Sequence, residues 1–202
     1  MSQANQSITI LELVKFIIPI ISTFLAGFFG LLYGLKQVKV QKRLSFIEKQ
    51  LNEFYSPLLG CRTEILCKSK VRLKIELAAN ESWKELCERK DKRGLDDFDV
   101  DKAYEPYGKI IEYNNNQLRQ DLLPKYRNML SIFTENYWLA QSDTRKWYSE
   151  LCEFIEIWDR CMSDSLPNDV VRKLEHHENK LNSFYEDLEK QIDFLRKELV
   201  NR

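Results

Sequence analysis

The feature that most constrains this chain is a run of twenty residues without a charge, Phe16 to Leu35, reading FIIPIISTFLAGFFGLLYGL. As a helix it spans ~30 Å at ~1.5 Å per residue, the thickness of a bilayer's hydrocarbon core. Pro19 falls in its first turns, where a missing N–H costs little. The run is long for the apolar region of a cleaved signal peptide, and no clear A-x-A-like cleavage site follows it. Runs of this length are rare as core helices of soluble folds. The reading is a short extracytoplasmic N-terminus (1–15), a single transmembrane helix (16–35) and a cytoplasmic helical domain (36–202).

Flanking charge sets the orientation. Lys36, Lys39, Lys42, Arg43 and Lys49 lie downstream, against Lys15 with Glu12 nearby upstream. The basic side stays in the cytoplasm, which puts the N-terminus outside. Within the run, Ser22, Ala26, Gly30 and Gly34 recur every fourth position, and the last two form a GxxxG. Such a stripe lets two helix backbones approach closely in lipid, so self-association is expected; Gly and Ala are also simply common in membrane helices.

Charge balance narrows the rest. Lys+Arg and Asp+Glu are both 31, which argues against a chain that grips nucleic acid over its whole surface. Six Gly and five Pro, beside 44% hydrophobic residues, exclude collagen-like and bulk-disordered classes. No strand alternation or hairpin turn stands out, so an all-α fold is expected. The anchor helix continues through Lys36–Tyr55. Ser56-Pro57 reads as N-cap and N1 of a second helix, which carries Leu58, Leu59, Ile65, Leu66, Leu73, Leu77, Trp83 and Leu86 and stops near Gly94. A third helix spans Val100–Gln120, Pro124 starts a fourth, and Ser142-Asp143 caps a fifth. A last helix opens at Ser165–Asn168 and runs toward the C-terminus, with Leu174, Leu181, Leu188 and Leu195 on one line and Val171, Tyr185, Ile192 and Leu199 on another. The architecture is one membrane helix plus a bundle of about five.

Chemistry-bearing patterns are few. Cys61, Cys67, Cys87, Cys152 and Cys161 form no CxxC and read as small buried hydrophobes. Asp97, Asp99 and Asp101 match the first ligands of a calcium loop. The sixth position is Lys102 rather than Gly and the twelfth Gly108 rather than Glu, so this is a solvated acidic loop. Lys68, Lys70, Arg72 and Lys74 read as a polar helix face, or as a contact for RNA or lipid. No phosphate loop, GxSxG or HExxH is present, and neither metal nor other cofactor is expected. What remains is Arg172 and His177, an R-x4-H at the start of the last helix. His can exchange a proton with a ribose hydroxyl or leaving oxygen near neutral pH. Arg, aided by a helix N-terminus, can hold the phosphate. The alternative is structural. His177 falls on the stripe Leu174–His177–Leu181–Phe184 as a core histidine, while His176 lies on the exposed side with Arg172.

An R-x4-6-H near the start of a late helix in an all-α domain resembles the HEPN superfamily. The resemblance implies ribonucleases that pair two such motifs across a dimer. The residue after the Arg is often Asn, Asp or His there; here it is Lys173, so the site is either active or degenerate. With the single membrane helix added, the chain looks like the membrane accessory proteins of type VI-B CRISPR systems. That implies a homo-oligomeric pore in the bacterial inner membrane, partnered functionally with an RNA-guided RNase and strengthening antiviral defence. Three readings follow: a membrane effector or accessory, a non-catalytic adaptor holding a partner at the membrane, and a metal-independent membrane-tethered ribonuclease.

Overall fold

A computed structural model describes the backbone of residues 10–93, 99–174 and 176–200. Among the described residues every regular element is helical and none is a strand. Contacts divide the chain between Glu48 and Lys49 into two units.

The first unit is helix α1, Ile10–Lys49. From Ile21 to Leu35 every described side chain is exposed, up to 77% for Phe24. Among the described residues, this is the one helix long and apolar enough to cross a membrane, and none of its apolar window is buried by the rest of the chain. The helix is apolar on all sides, so nothing in it distinguishes a core face from a water face. Lys36, Lys39 and Lys42 follow, all exposed.

The second unit opens with a π-helical turn, Gln50–Tyr55, and helix α2, Ser56–Arg93. Helix α3 is Val100–Gln117, followed by a second π turn, Leu118–Leu122, and α4, Leu123–Glu135. Then come a 3-10 turn, Tyr137–Leu139, α5, Ser142–Arg145, and α6, Trp147–Met162. The chain closes with α7, Asn168–Lys173, a 3-10 turn, Glu178–Leu181, and α8, Asn182–Val200. Phe133 of α4 sits at the centre of the core. Its ring centroid lies 5.0 Å from Phe54, 5.3 Å from Tyr148 and 6.0 Å from Phe184. Leu58, Ile65, Met129, Leu139, Leu151, Leu181 and Leu188 close around it, all fully buried. A directional chain of hydrogen bonds crosses this core. The Gln141 N–H donates to the Tyr55 hydroxyl (3.0 Å), Tyr55 pairs with Thr144 (3.2 Å), and Thr144 donates to Asp187 (2.6 Å). Burial pushes the Tyr55 hydroxyl up, which keeps it protonated as the donor to Thr144.

Several boundaries differ from the sequence reading. Ser56-Pro57 and Pro124 do not start helices by capping. Ser56 and Leu123 both have helical dihedrals, and each donates its N–H five residues back, to Leu51 and Leu118. A proline lacks an N–H and its ring crowds the carbonyl four residues earlier. A widened π turn ahead of each proline absorbs that loss without ending the helix. Gln141, not Ser142, is the N-cap of α5. Asp99 caps α3 by accepting the Lys102 N–H at 3.0 Å, so it serves the helix start; Asp97 and Gly94 lie outside the described residues. None of the five cysteines is fully buried, and Cys67 is exposed. At one or two heavy atoms beyond Cα they sit on helix flanks, where the larger side chains fill the core.

Beyond Ile65, α2 leaves the core and pairs antiparallel with α3. Lys68 reaches Asp121 (2.5 Å), Asn114 donates to Glu76 (2.9 Å), and Trp83 meets Tyr104 and Tyr107 edge-on at 5.0 and 5.3 Å. Leu73 and Leu77, expected on an apolar packing face, are instead 57% and 61% exposed. With only α3 to cover it, this part of α2 packs through Arg72, Glu76 and Trp83 instead. The basic run therefore splits: Lys68 pairs with Glu64 and Asp121, Arg72 pairs with Glu76, and Lys70 and Lys74 stay exposed.

Candidate functional site

The expected last helix is two helices. Pro167, extended at φ −60° and ψ 144°, opens α7, which ends after six residues. His177 is extended (φ −122°, ψ 149°) ahead of the 3-10 turn and α8. The sequence here is Leu-Glu-His-His-Glu-Asn. His and Asn are poor helix formers, and their clustering was the signal for this break.

The break rearranges the motif. Arg172 lies in the last turn of α7, is 79% exposed, and donates to Asp169 at 2.6 Å. It stands at a helix C-terminus, the negative end of the dipole, rather than at the N-terminus the sequence reading placed beside it. His177 sits outside any helix and is exposed. The two residues are on separate elements, both facing solvent. The core-stripe reading of His177 does not hold, because the stripe needs one continuous helix. Leu181, Tyr185, Leu188, Ile192 and Leu195 do form the buried face of α8.

His176 takes the inward position. Its ring packs tilted against Phe154 at 4.5 Å and meets Trp158 edge-on at 5.5 Å. Both ring nitrogens are shielded from solvent, and neither has a hydrogen-bond partner of ordinary geometry. Burial holds His176 below the usual histidine range, and Lys180 adds to this; the Phe154 backbone and Glu153 pull the other way. The imidazole is therefore neutral at pH 7. Beside it lies a cleft of about 290 Å³ lined by Glu150, Glu153, Phe154, His176, Lys180 and Leu181.

Leu174, Glu178 and Lys180 are tied down at further points. Glu178 pairs with Arg62 of α2, whose guanidinium also stacks 4.0 Å over the Tyr185 ring. The Lys180 ammonium donates to the Leu174 carbonyl at 3.0 Å. Tyr126 and Tyr185 are both held protonated by burial, with the Glu178 carboxylate adding to it. Sequence reading placed His176 on the exposed side and missed Arg62, Glu178 and Lys180; the Arg62–Glu178 pair spans 116 residues and leaves no local pattern. Among the described residues no group of three or more His, Cys, Asp or Glu is arranged to hold a metal ion.

On α1, Ser22, Ala26, Gly30 and Gly34 are all exposed. A Cβ added at Gly30 or Gly34 would meet no atom within 4 Å, so the GxxxG face is open for a second helix. The chain matches no known protein family, no curated protein and no solved structure.

Proposed function

We propose that this chain is a single-pass membrane protein that self-associates through the Ser22, Ala26, Gly30 and Gly34 stripe and perturbs the bilayer as an accessory of RNA-guided antiviral defence. The carrying observation is α1: apolar on every side, uncovered by the chain, with small residues open along one line. Water is the wrong solvent for such a helix, and a bilayer core of ~30 Å is the right one. The exposed Lys36, Lys39 and Lys42 favour a cytoplasmic body. The defence assignment, and a HEPN-like fold for the body, rest on the combination of one membrane helix, an all-α body, and Arg172 with His177. The proposed host membrane is the bacterial inner membrane, and the proposed functional partner an RNA-guided RNase. Among its polar side chains the run has Ser22, Thr23 and Tyr33. A pore lined by it is largely apolar and gates by dewetting.

Ion leakage from liposomes holding the full chain tests this reading. Leakage that falls when Gly30→Ile and Gly34→Ile are combined supports it; tight liposomes, with or without the triggered defence partner, count against it. Cys67 tests the topology, since all five cysteines lie after the anchor and Cys67 is exposed. A membrane-impermeant maleimide labels the protein only after the cells are opened; labelling of intact cells reverses the orientation.

A second reading, a non-catalytic adaptor, is favoured by the α2–α3 hairpin. It exposes Leu73 and Leu77 on α2 and Ile111 and Tyr113 on α3, large apolar side chains of the kind that mark interaction surfaces when they gather.

A further inference from the structure

Residues 176–181 form a strap leading into α8. One end is held by a neutral ring between two aromatic side chains, the other by an ion pair. The His176 imidazole lies in the slot formed by Phe154 and Trp158 of α6. A neutral imidazole has one N–H and one bare nitrogen, and here both lack a partner of ordinary geometry. An imidazolium has two N–H donors and a full charge. In the slot only the Phe154 backbone, at poor geometry, faces it, and its other N–H would be an orphaned donor, a costly omission in a buried site. Beside the slot is the cleft, whose rim carries the carboxylates of Glu150 and Glu153 on α6. Both residues are exposed. A charged ring at this rim gains acceptors and water that the slot denies it. The cleft, at about 290 Å³, has room for an imidazole.

We propose that the strap is a pH-sensitive latch: His176 closes it as a neutral ring in the Phe154–Trp158 slot, and on protonation moves to the Glu150–Glu153 rim and loosens residues 176–181 from α6.

The groups facing His176 support two positions. Lys180, on the 3-10 turn, and His177, next in the chain, disfavour a charge on the ring in its present place. Glu153 and the Phe154 backbone favour one, and burial outweighs them. The sign of the pH effect follows. A histidine held low in the closed form binds more protons when released, so closure is complete above the ordinary histidine value of about 6.5 and weakens as pH falls below it. The Glu178–Arg62 pair is the hinge side of the strap. Loosening uncovers Phe154, which is 3% exposed when the latch is closed.

The experiment is hydrogen exchange on the full chain in detergent micelles from pH 7.5 to 5.0. Protection factors, corrected for intrinsic exchange, are read for 176–181 against the core of α4. In the native chain, strap protection falls by up to tenfold per pH unit below about 6.5, while α4 stays constant. His177→Gln leaves this fall in place, since His177 faces solvent. His176→Phe keeps an aromatic ring in the slot and abolishes the fall. A flat native profile, or an equal fall in His176→Phe, overturns the proposal. Should His176→Phe fail to fold, Glu150→Gln with Glu153→Gln decides. Removing the acceptors of the charged form moves the fall to lower pH, and an unchanged midpoint overturns the latch.

Discussion

In α8, Phe184, Leu188, Ile192 and Leu195 are each at most 3% exposed, whereas in α1 Phe24, Leu25, Phe28 and Leu31 are each at least 50% exposed. The residue types are the same. The difference lies in the rest of each helix. The apolar stripe of α8 is backed by Glu186, Glu189, Asp193 and Arg196, turned to water. The other sides of α1 carry Phe29, Tyr33, Ala26, Gly30 and Gly34 and no charge from Phe16 to Leu35, so no side of that run is suited to water. Burial of apolar area stabilises a fold at roughly 25 cal/mol per Å², but only when there is something to be buried against. For α8 that is the core around Phe133. For the apolar run of α1 nothing in the chain supplies it; the surface proposed for it is a bilayer and, along the small-residue line, another α1.

The widest separation between the two regions comes from one truncation made in each. Phe133→Ala removes the ring on which Phe54, Tyr148 and Phe184 converge, and is expected to destabilise the body by ~3–5 kcal/mol. Phe28→Ala, equally large but 57% exposed, is expected to shift the same unfolding transition by less than about 0.5 kcal/mol. Chemical denaturation of the full chain in detergent measures both, and an equal loss at Phe28 would break the comparison. Next in size is Leu25→Arg, near the middle of the apolar run. An arginine at the centre of a spanning helix costs ~2.5–3.5 kcal/mol of insertion. The expected outcome is a shift of protein out of the alkali-resistant membrane fraction with the body's unfolding midpoint unchanged. The smallest effect sharpens the α8 side. Arg62→Met leaves the Glu178 carboxylate, 31% exposed, without its partner and keeps most of the stacking volume over Tyr185. A loss of roughly 1–3 kcal/mol is expected, below that of a fully buried pair because water still reaches Glu178. A neutral result would mean the pair does not hold the strap.

Much of this fold was legible in the sequence because it follows from periodicity. The charge-free run became part of α1, and Leu188, Leu195, Tyr185 and Ile192 from the two expected lines became the buried face of α8. The misreadings share a cause. Pro57 and Pro124 looked like helix starts because proline suits a first turn, but a π turn lets a helix pass through. The last helix looked continuous because its leucines kept their spacing, while the poor helix formers His176, His177 and Asn179 interrupted it. That one break exchanged the two histidines, turning His176 inward and His177 outward. It also placed Arg172 at a helix end of the opposite polarity. The strap's anchors were not legible, since Arg62 and Glu178 are 116 residues apart.

The most direct test of the central claim, that α1 is a membrane helix built to meet copies of itself, is the mass of the full chain in detergent by native mass spectrometry with the micelle accounted for. A complex of several subunits that shrinks when Gly30→Ile and Gly34→Ile are combined is the expected result. A monomer, or an oligomer whose mass ignores both substitutions, would contradict the claim.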